Sequence, residues 1–335
     1  MKKLFISMLA IAALASCAKE EVIVADQGEL IGFNSFVENS TRAADPSYSA
    51  NDIESFKVYG TVNGGQGDVL IYPGTVITRD GAAYGSAWTC PVSQYWIAGA
   101  TYKFVGIVDG EVDGVTKTYP EEGMPTSVEY TADGKTDLLC QTIDYTAKSA
   151  AELADGKTNP IVAFNFAHLL SKVNFTVVNT TKDAAGYSFV VKNITFNGAK
   201  AATYDVAKAE WGNATSSGDT VVGNERTVGS TTVKDIVVTA DDTTTTDVNE
   251  ATNELNTEVL FIPGEYTISF TVDILYNGET ITSTNYPATG TYTHELVANN
   301  AYNFKVNVAV GQLIEFTVEK QPTWTPGNNG ADITL

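Results

Sequence analysis

The sequence predicts an all-β protein built as two β-sandwich domains in tandem. Apolar and polar residues alternate with a period of two along most of the chain. Gly-, Asn-, Asp- and Pro-containing turn signals separate these segments, and helical periodicity is scarce. The chain is 43% hydrophobic and 10% aromatic with 28 glycines, and it is rich in Tyr, Thr, Val and Asn, a composition that favours pleated surfaces and tight turns.

Residues 1–16 read as an address. A basic Met1-Lys2-Lys3 precedes an apolar run over 4–15, too short to span a bilayer. It ends in Leu14-Ala15-Ser16-Cys17. Small residues ahead of a cysteine at this position resemble the bacterial lipobox, in which the thiol is acylated and Cys17 becomes the new N-terminus. The alternative is an ordinary signal peptide with an incidental cysteine. Acyl chains would supply the membrane affinity.

Residues 17–45 form a tether containing one strand-like piece, 30–37, with Ile31, Phe33 and Val37 spaced to share a face. The polar, turn-forming Asn39-Ser40-Thr41-Arg42-Ala43-Ala44-Asp45-Pro46 follows, in which a protease can engage an extended backbone. Residues 46–167 make the first sandwich, with strands predicted at 56–62, 102–108 and 161–166, and a turn or two of helix over 147–153 stopped by Gly156. Residues 168–335 make the second, with strands at 173–178, 187–196, 259–262, 266–276 and 302–310. Asn277-Gly278 between two strand-like runs predicts a two-residue hairpin. The Thr/Asp/Asn-rich stretch 239–253 is expected to be an exposed loop. The end of the chain has a strand at 313–319, a Pro/Gly-rich hinge at 321–330 and a last alternating piece bearing Ile333 and Leu335.

Charge and side-chain inventory exclude several functions. Twenty Lys and Arg stand against 40 Asp and Glu, a net charge of −20. Nucleic acid is not a partner, because no basic surplus exists to displace counterions from phosphate. Any assembly of so negative a chain must rest on backbone pairing and apolar insertion. Two histidines and three cysteines argue against a zinc site. Cys90 and Cys140, left over once Cys17 is lipidated, are either one disulfide or two separate thiols. His168 and His294 are far apart with no Gly-x-Ser-x-Gly elbow, and His168 reads as a structural residue at a strand end. Asp109-Gly110-Glu111-Val112-Asp113-Gly114 opens like a calcium loop but reaches Pro120 where the bidentate Glu belongs. The expectation is a non-enzyme without metal or cofactor.

The order of motifs resembles the fimbrillin family of Bacteroidetes, the type V pilins and their relatives. The residues that carry this are Cys17 of the lipobox, Thr41-Arg42-Ala43 after a first strand, the run from Phe164-Asn165-Phe166 through His168-Leu169-Leu170 to Val173, the closing Asn300-Ala301-Tyr302-Asn303-Phe304-Lys305-Val306, Ile314-Glu315-Phe316 and a late Trp324. Ala18-Lys19-Glu20-Glu21 is similar to the surface-export signal of lipoproteins from that phylum. The resemblance implies two transthyretin-like β-sandwich domains and export to the outer membrane as a lipoprotein. It also implies cleavage between Arg42 and Ala43 by an arginine-specific protease, with loss of the first strand bearing Ile31, Phe33 and Val37. A neighbour's C-terminal strand then fills the gap. Leu30-Ile31-Gly32-Phe33 and Leu313-Ile314-Glu315-Phe316 share three of four residues, so Ile314, Phe316 and Val318 form one donor candidate. Ile333 and Leu335 form a second. An Asp pair at Ile314 and Phe316 is expected to abolish polymers and leave the monomer folded.

The partners implied are other fimbrial subunits, the outer membrane through the lipid, and a host or bacterial surface receptor. Two alternatives compete with a stalk pilin: a non-polymerising anchor or tip lipoprotein, and a surface glycan binder using Trp88, Tyr95 and Trp96. Asp219-Thr220-Val221 and Asp242-Thr243-Thr244 are similar to the phylum's O-glycosylation sequence and are expected in loops.

Overall fold

A computed structural model describes residues 28–37, 53–81, 87–108, 117–118, 123–181, 186–239 and 251–321. Within them lie β1 (Phe33–Val37), β2 (Ser55–Asn63), β3 (Asp68–Arg79), β4 (Trp88–Thr89), β5 (Thr101–Val108), β6 (Lys117–Thr118), β7 (Ser127–Thr131), β8 (Leu139–Thr146) and the short helix α1 (Ala150–Ala154). Then come β9 (Val162–His168), β10 (Ser171–Asn179), β11 (Tyr187–Asp205), β12 (Glu210–Val222), β13 (Asn224–Val228), β14 (Thr231–Thr239) and β15 (Ala251–Glu254). The last are β16 (Val259–Phe261), β17 (Gly264–Tyr276), β18 (Glu279–Tyr286), β19 (Tyr292–Leu296), β20 (Ala301–Val308) and β21 (Glu315–Gln321). The architecture is all-β.

The first sheet runs in the order β1-β9-β8-β5-β2-β3-β4. It is antiparallel except for β1, which lies parallel to β9. The sheet curls until its two ends meet. The Ile31 amide donates to Gln94 O at 2.9 Å, the Trp96 amide donates to Glu29 O at 2.9 Å, and Leu30 bridges Tyr95. Phe33, Phe56, Tyr72, Phe104, Phe164 and Phe166 fill the interior. Gly106 keeps room for them, since a Cβ there would sit 2.7 Å from the Phe164 ring.

The second and third sheets face each other as a sandwich. One has the order β15-β10-β20-β21 with β16 also on β10. The other has the order β13-β14-β11-β17-β18, with β12 and β7 on β11 and β19 on β17. Phe175, Phe189, Phe196, Ile268 and Phe304 are among the fully buried residues between them. β11 is long enough to serve two cores. Its first half pairs with β14 and β17, while its second half pairs with β12 and with β7. That second half lays Ala202 and Tyr204 against Val105 and Ile107, on the outward face of β5 in the first sheet. Strand pairing therefore crosses from residues before 167 to residues after it.

Local chemistry follows the sequence in several places. Asn277 and Gly278 have φ of 50° and 86°, the double positive φ of a type I′ turn, and join β17 to β18 as predicted. Ser149 caps α1 through a capping box with Glu152. Elsewhere the structure departs from expectation. Residues 251–254 are β15, not loop: Thr252 and Asn253 pair with β10, and Asn253 Nδ2 donates to Val237 O at 2.8 Å. Asp219-Thr220-Val221 lies inside β12, paired with Asn197, Phe196 and Thr195, because β11 supplies a ladder that the polar sequence of β12 does not advertise. Thr220 Oγ1 accepts from Lys200 Nζ at 2.9 Å. Asp242 and the calcium-like stretch at 109–114 lie outside the described residues.

The cores carry an alkaline weakness. Burial pushes the phenols of Tyr72, Tyr130, Tyr204 and Tyr266 well above the usual tyrosine range and the Cys140 thiol up to about 12. All stay neutral in the fold, whereas the unfolded chain begins to ionise at roughly 8.5–10. The unfolded state therefore releases protons first, and stability is lost as pH climbs from that range toward 12. A pH titration followed by circular dichroism and tyrosinate absorbance should show the last tyrosines ionising together with loss of the β signal. Smooth ionisation of all tyrosines in a folded chain would contradict this.

Candidate functional site

The candidate site is the seam that β1 occupies. β1 begins after Gly28 and Glu29, which lie against the segment 94–96. The Glu29 carboxylate accepts from the Asn159 amide at 2.6 Å and from its Nδ2 at 3.1 Å. Asn159 Oδ1 in turn accepts from the Lys148 amide at 2.8 Å. This chain of bonds holds the entry of the strand against the segment between α1 and β9. From Phe33 opposite Val162 to Val37 opposite Phe166, the ladder to β9 is continuous.

Period-two spacing sends Ile31, Phe33 and Ser35 inward, and all three are buried. Phe33 meets Tyr72 edge-on at 5.2 Å and Phe104 at 6.0 Å, and lies nearly parallel to Phe164 at 6.4 Å. Ser35 is the odd member: 2% exposed, with a hydroxyl that has no hydrogen-bond partner among the described residues. Gly28 lies close to the facing segment, and a Cβ there would come within 3.2 Å of Trp96 O, a tight contact. Among the described residues, no group of three or more His, Cys, Asp or Glu is placed to hold a metal ion.

At the other end of the chain, β21 is an edge strand antiparallel to β20. Ile314, Phe316 and Val318 lean against the sandwich core. Phe316 meets Tyr286 and Tyr292, each at 5.0 Å, Phe270 at 5.3 Å and Phe304 at 5.9 Å. The expectation that the monomer tolerates Asp at this position is thereby corrected: a charge at Phe316 would face aromatic rings. Leu313, three residues before Phe316, is 91% exposed.

A family model described as fimbrillin-like matches residues 41–322. The chain belongs to the fimbrillin-like family. No curated protein matches it. Among solved structures, it is similar to a fimbrial protein from Bacteroides vulgatus ATCC 8482, with 13% identity and a TM-score of 0.54 over 89% of this chain and 100% of that one. That likeness shows a shared fold. A second similar structure is the fimbrial anchor protein Mfa2 from Porphyromonas gingivalis, with 12% identity and a TM-score of 0.43 over 89% of this chain and 98% of that one.

For a fimbrillin-like chain, the placement of the sequence-predicted residues is informative. Ile31, just ahead of β1, and Phe33, its first residue, are both buried, and Val37 ends the strand. Ile314, just ahead of β21, and Phe316 and Val318 within it pack against a different core. Cys17, Arg42, Ala43, Ile333 and Leu335 lie outside the described residues. Cys90 and Cys140 are free thiols, the first donating to Val92 O at 3.0 Å and the second buried. His168 ends β9 and is bonded to Asp137, a structural pair as expected.

Trp96 does not offer a sugar-stacking face. It is buried against Tyr102 at 4.7 Å, Tyr145 at 5.1 Å and Phe104 at 6.0 Å. Replacing Trp96 with Phe should cost about 1 kcal/mol in urea unfolding, as a near-conservative core change. Any polysaccharide affinity of the chain should be unaltered, and a selective loss of such affinity in the folded variant would restore the platform reading. Sequence reasoning missed Glu29, Asn159 and Ser35. A polar residue at an inward strand position was the available signal for Ser35.

Proposed function

We propose that this fimbrillin-like chain is a structural subunit of surface fimbriae. It is exported as a lipoprotein through Cys17 and trimmed between Arg42 and Ala43. It is then joined to its neighbours by strand replacement to build adhesive fibres at the outer membrane. The observation that carries this reading is the position of β1. It is the first described strand, its buried Phe33 and the Ile31 just ahead of it complete an aromatic core, and Arg42 follows it before β2 begins. A cut at Arg42 leaves β1 held only by its ladder and packing, and its departure would uncover one row of backbone groups on β9 and the rings of Tyr72, Phe104 and Phe164. An unpaired edge beside an apolar slot is a template for another strand. The slot lies in the sheet of β1 and β9, and the donor ends the separate sheet of β10, β20 and β21.

N-terminal sequencing of the protein taken from cell-surface fibres tests the proposal. A sequence starting at Ala43 is the expected result, and a uniformly blocked Cys17 would overturn the stalk reading. A second reading, a non-polymerising anchor or tip, is favoured by one observation: β21 is already paired at home on β20. In that case Cys17 keeps its lipid and β1 stays in the seam.

A further inference from the structure

Of the 20 basic side chains in the sequence only three are arginine, at positions 42, 79 and 226. Arg42 lies in the polar stretch behind β1, and the other two lie in strands. Arg79 ends β3 and is withdrawn from solvent. It is 8% exposed and pairs with Trp88, its amide donates to Glu54 O at 2.9 Å, and its carbonyl accepts from the Gly81 amide at 3.1 Å. Arg226 is placed differently. It stands in the middle of β13, which pairs with β14 on one side and is the outer strand of its sheet among the described residues. Residues 225–228 are all exposed. A strand with one open edge suits an endoprotease, which pairs with the free backbone and draws one side chain into a pocket. By backbone placement alone, Arg226 is a cleavage site. Its side chain, however, is tied down. Nε donates to Asp235 Oδ1 at 2.9 Å and a terminal nitrogen donates to Oδ2 at 2.5 Å, a two-bond fork across β13 and β14. Arg226 pairs with Val233, so the fork runs diagonally to the residue two places on. The Asp235 side chain is only 5% exposed, against 43% for Arg226. Drawing the guanidinium away leaves that buried carboxylate without its charged partner, which opposes capture by a pocket. Lys192, opposite Asp235 on β11, is itself engaged with Asp273.

We propose that the Arg226–Asp235 fork guards the folded subunit against the arginine-specific protease that trims it, so that a folded chain is cut after Arg42 and a misfolded chain is cut again after Arg226. This rests on the trimming reading above and adds an order of events to it: folding comes before cutting. Asp235 stands beside Arg226 only when β13 and β14 are in register. A chain in which they have not paired presents Arg226 with no carboxylate holding it. A cut there parts β11 and β12 from β14, β17 and β20, and so removes a faulty second sandwich from the pool. The seventeen lysines need no such guard, because a pocket shaped for the planar guanidinium fork does not take an ammonium in its place. The same fork geometry explains why position 226 holds arginine despite the hazard: only a guanidinium meets both oxygens of Asp235 at once.

The test treats the full chain with an arginine-specific endoprotease under native conditions and reads the fragments by mass. Asp235→Asn keeps the shape of the guard and removes its charge. Cleavage after Arg226 should then run at least about tenfold faster than in the parent, the scale of one charge-assisted pair. Arg79 should stay uncut in that variant and serves as the indicator that the chain is still folded. Thr227→Arg places an unguarded arginine one residue along the same exposed strand, opposite Thr232, with the backbone ladder unchanged. The folded variant should be cut after position 227. Protection that persists in Thr227→Arg, or cleavage after Arg226 that is no faster in folded Asp235→Asn, overturns the proposal, since the ladder and not the fork would then be the shield. If Arg79 is cut in Asp235→Asn, that variant has opened and Thr227→Arg alone decides. The two readings fail separately. A parent chain left whole at Arg42, with cleavage after Arg226 that depends on Asp235, keeps the guard and removes the trimming reading. Equal cutting after Arg42 and Arg226 in the parent removes the guard and keeps the trimming.

Discussion

Phe33→Ala is expected to lower the stability of the full-length chain by about 3–5 kcal/mol, the usual cost of emptying a buried phenylalanine site. Phe33 is 6% exposed and stands at the centre of the seam. Its removal leaves a cavity bounded by Tyr72, Phe104 and Phe164, which cannot collapse inward because each is held on its own strand of the same sheet. Three ring pairs are lost as well, each worth about 0.5–1.5 kcal/mol beyond the area it buries. Urea denaturation gives the value. Leu30→Ala serves as the control, since Leu30 is half in solvent and should cost under about 1 kcal/mol. The contrast matters for function. If Phe33→Ala were as mild as Leu30→Ala, β1 would be an ornament on a complete core, and cutting behind it would create no gap to refill.

How much of this was legible beforehand depends on which faces of a strand are buried. β2, β9, β10, β17 and β20 announced themselves because apolar residues alternate or run together in them, as in Val173 to Val178 of β10. β12 did not: Glu210 to Thr220 is Gly, Asn, Ala, Thr, Ser and Asp around a single Trp211, almost wholly exposed, and its pairing partner β11 alone makes it a strand. The second half of β11, from Asn197 to Asp205, was hidden for the same reason, with small Ala and Gly residues where β7 and β12 approach from either side. β1 itself was found from Ile31 and Phe33. Its parallel pairing with β9 was not, because pattern tells which face is apolar and nothing about the neighbour's direction. The aromatic residues Trp88 and Trp96 misdirect in the same way. A sugar platform and a barrel filling have the same composition, and only burial separates them.

The C-terminal strand has to serve two places, and substitutions can tell them apart. Phe316→Asp should abolish fibres and also cost the monomer about 3 kcal/mol or more, since a carboxylate would replace a ring packed on Tyr286, Tyr292, Phe270 and Phe304. A loss of fibres in that variant alone would therefore say little about strand donation. Leu313→Asp separates the effects. Leu313 touches no core in the free chain, so its replacement should leave the urea midpoint within about 0.5 kcal/mol of the parent. In the seam the same residue would take the place of Leu30, which bridges Tyr95, and an aspartate there would replace an apolar side chain in a chain already rich in negative charge. Stable monomers with weakened ladders on a native gel are the expected outcome for Leu313→Asp, weakened and not lost because the Leu30 place is half in solvent. Unchanged ladders would move the donor away from 311–318 and toward the segment that carries Ile333 and Leu335. The physical distinction is between a strand that holds its own domain together and one that is only resting there. Leu313, exposed beside the half-buried Ile314 and Phe316, marks the point at which such a strand can be peeled away first.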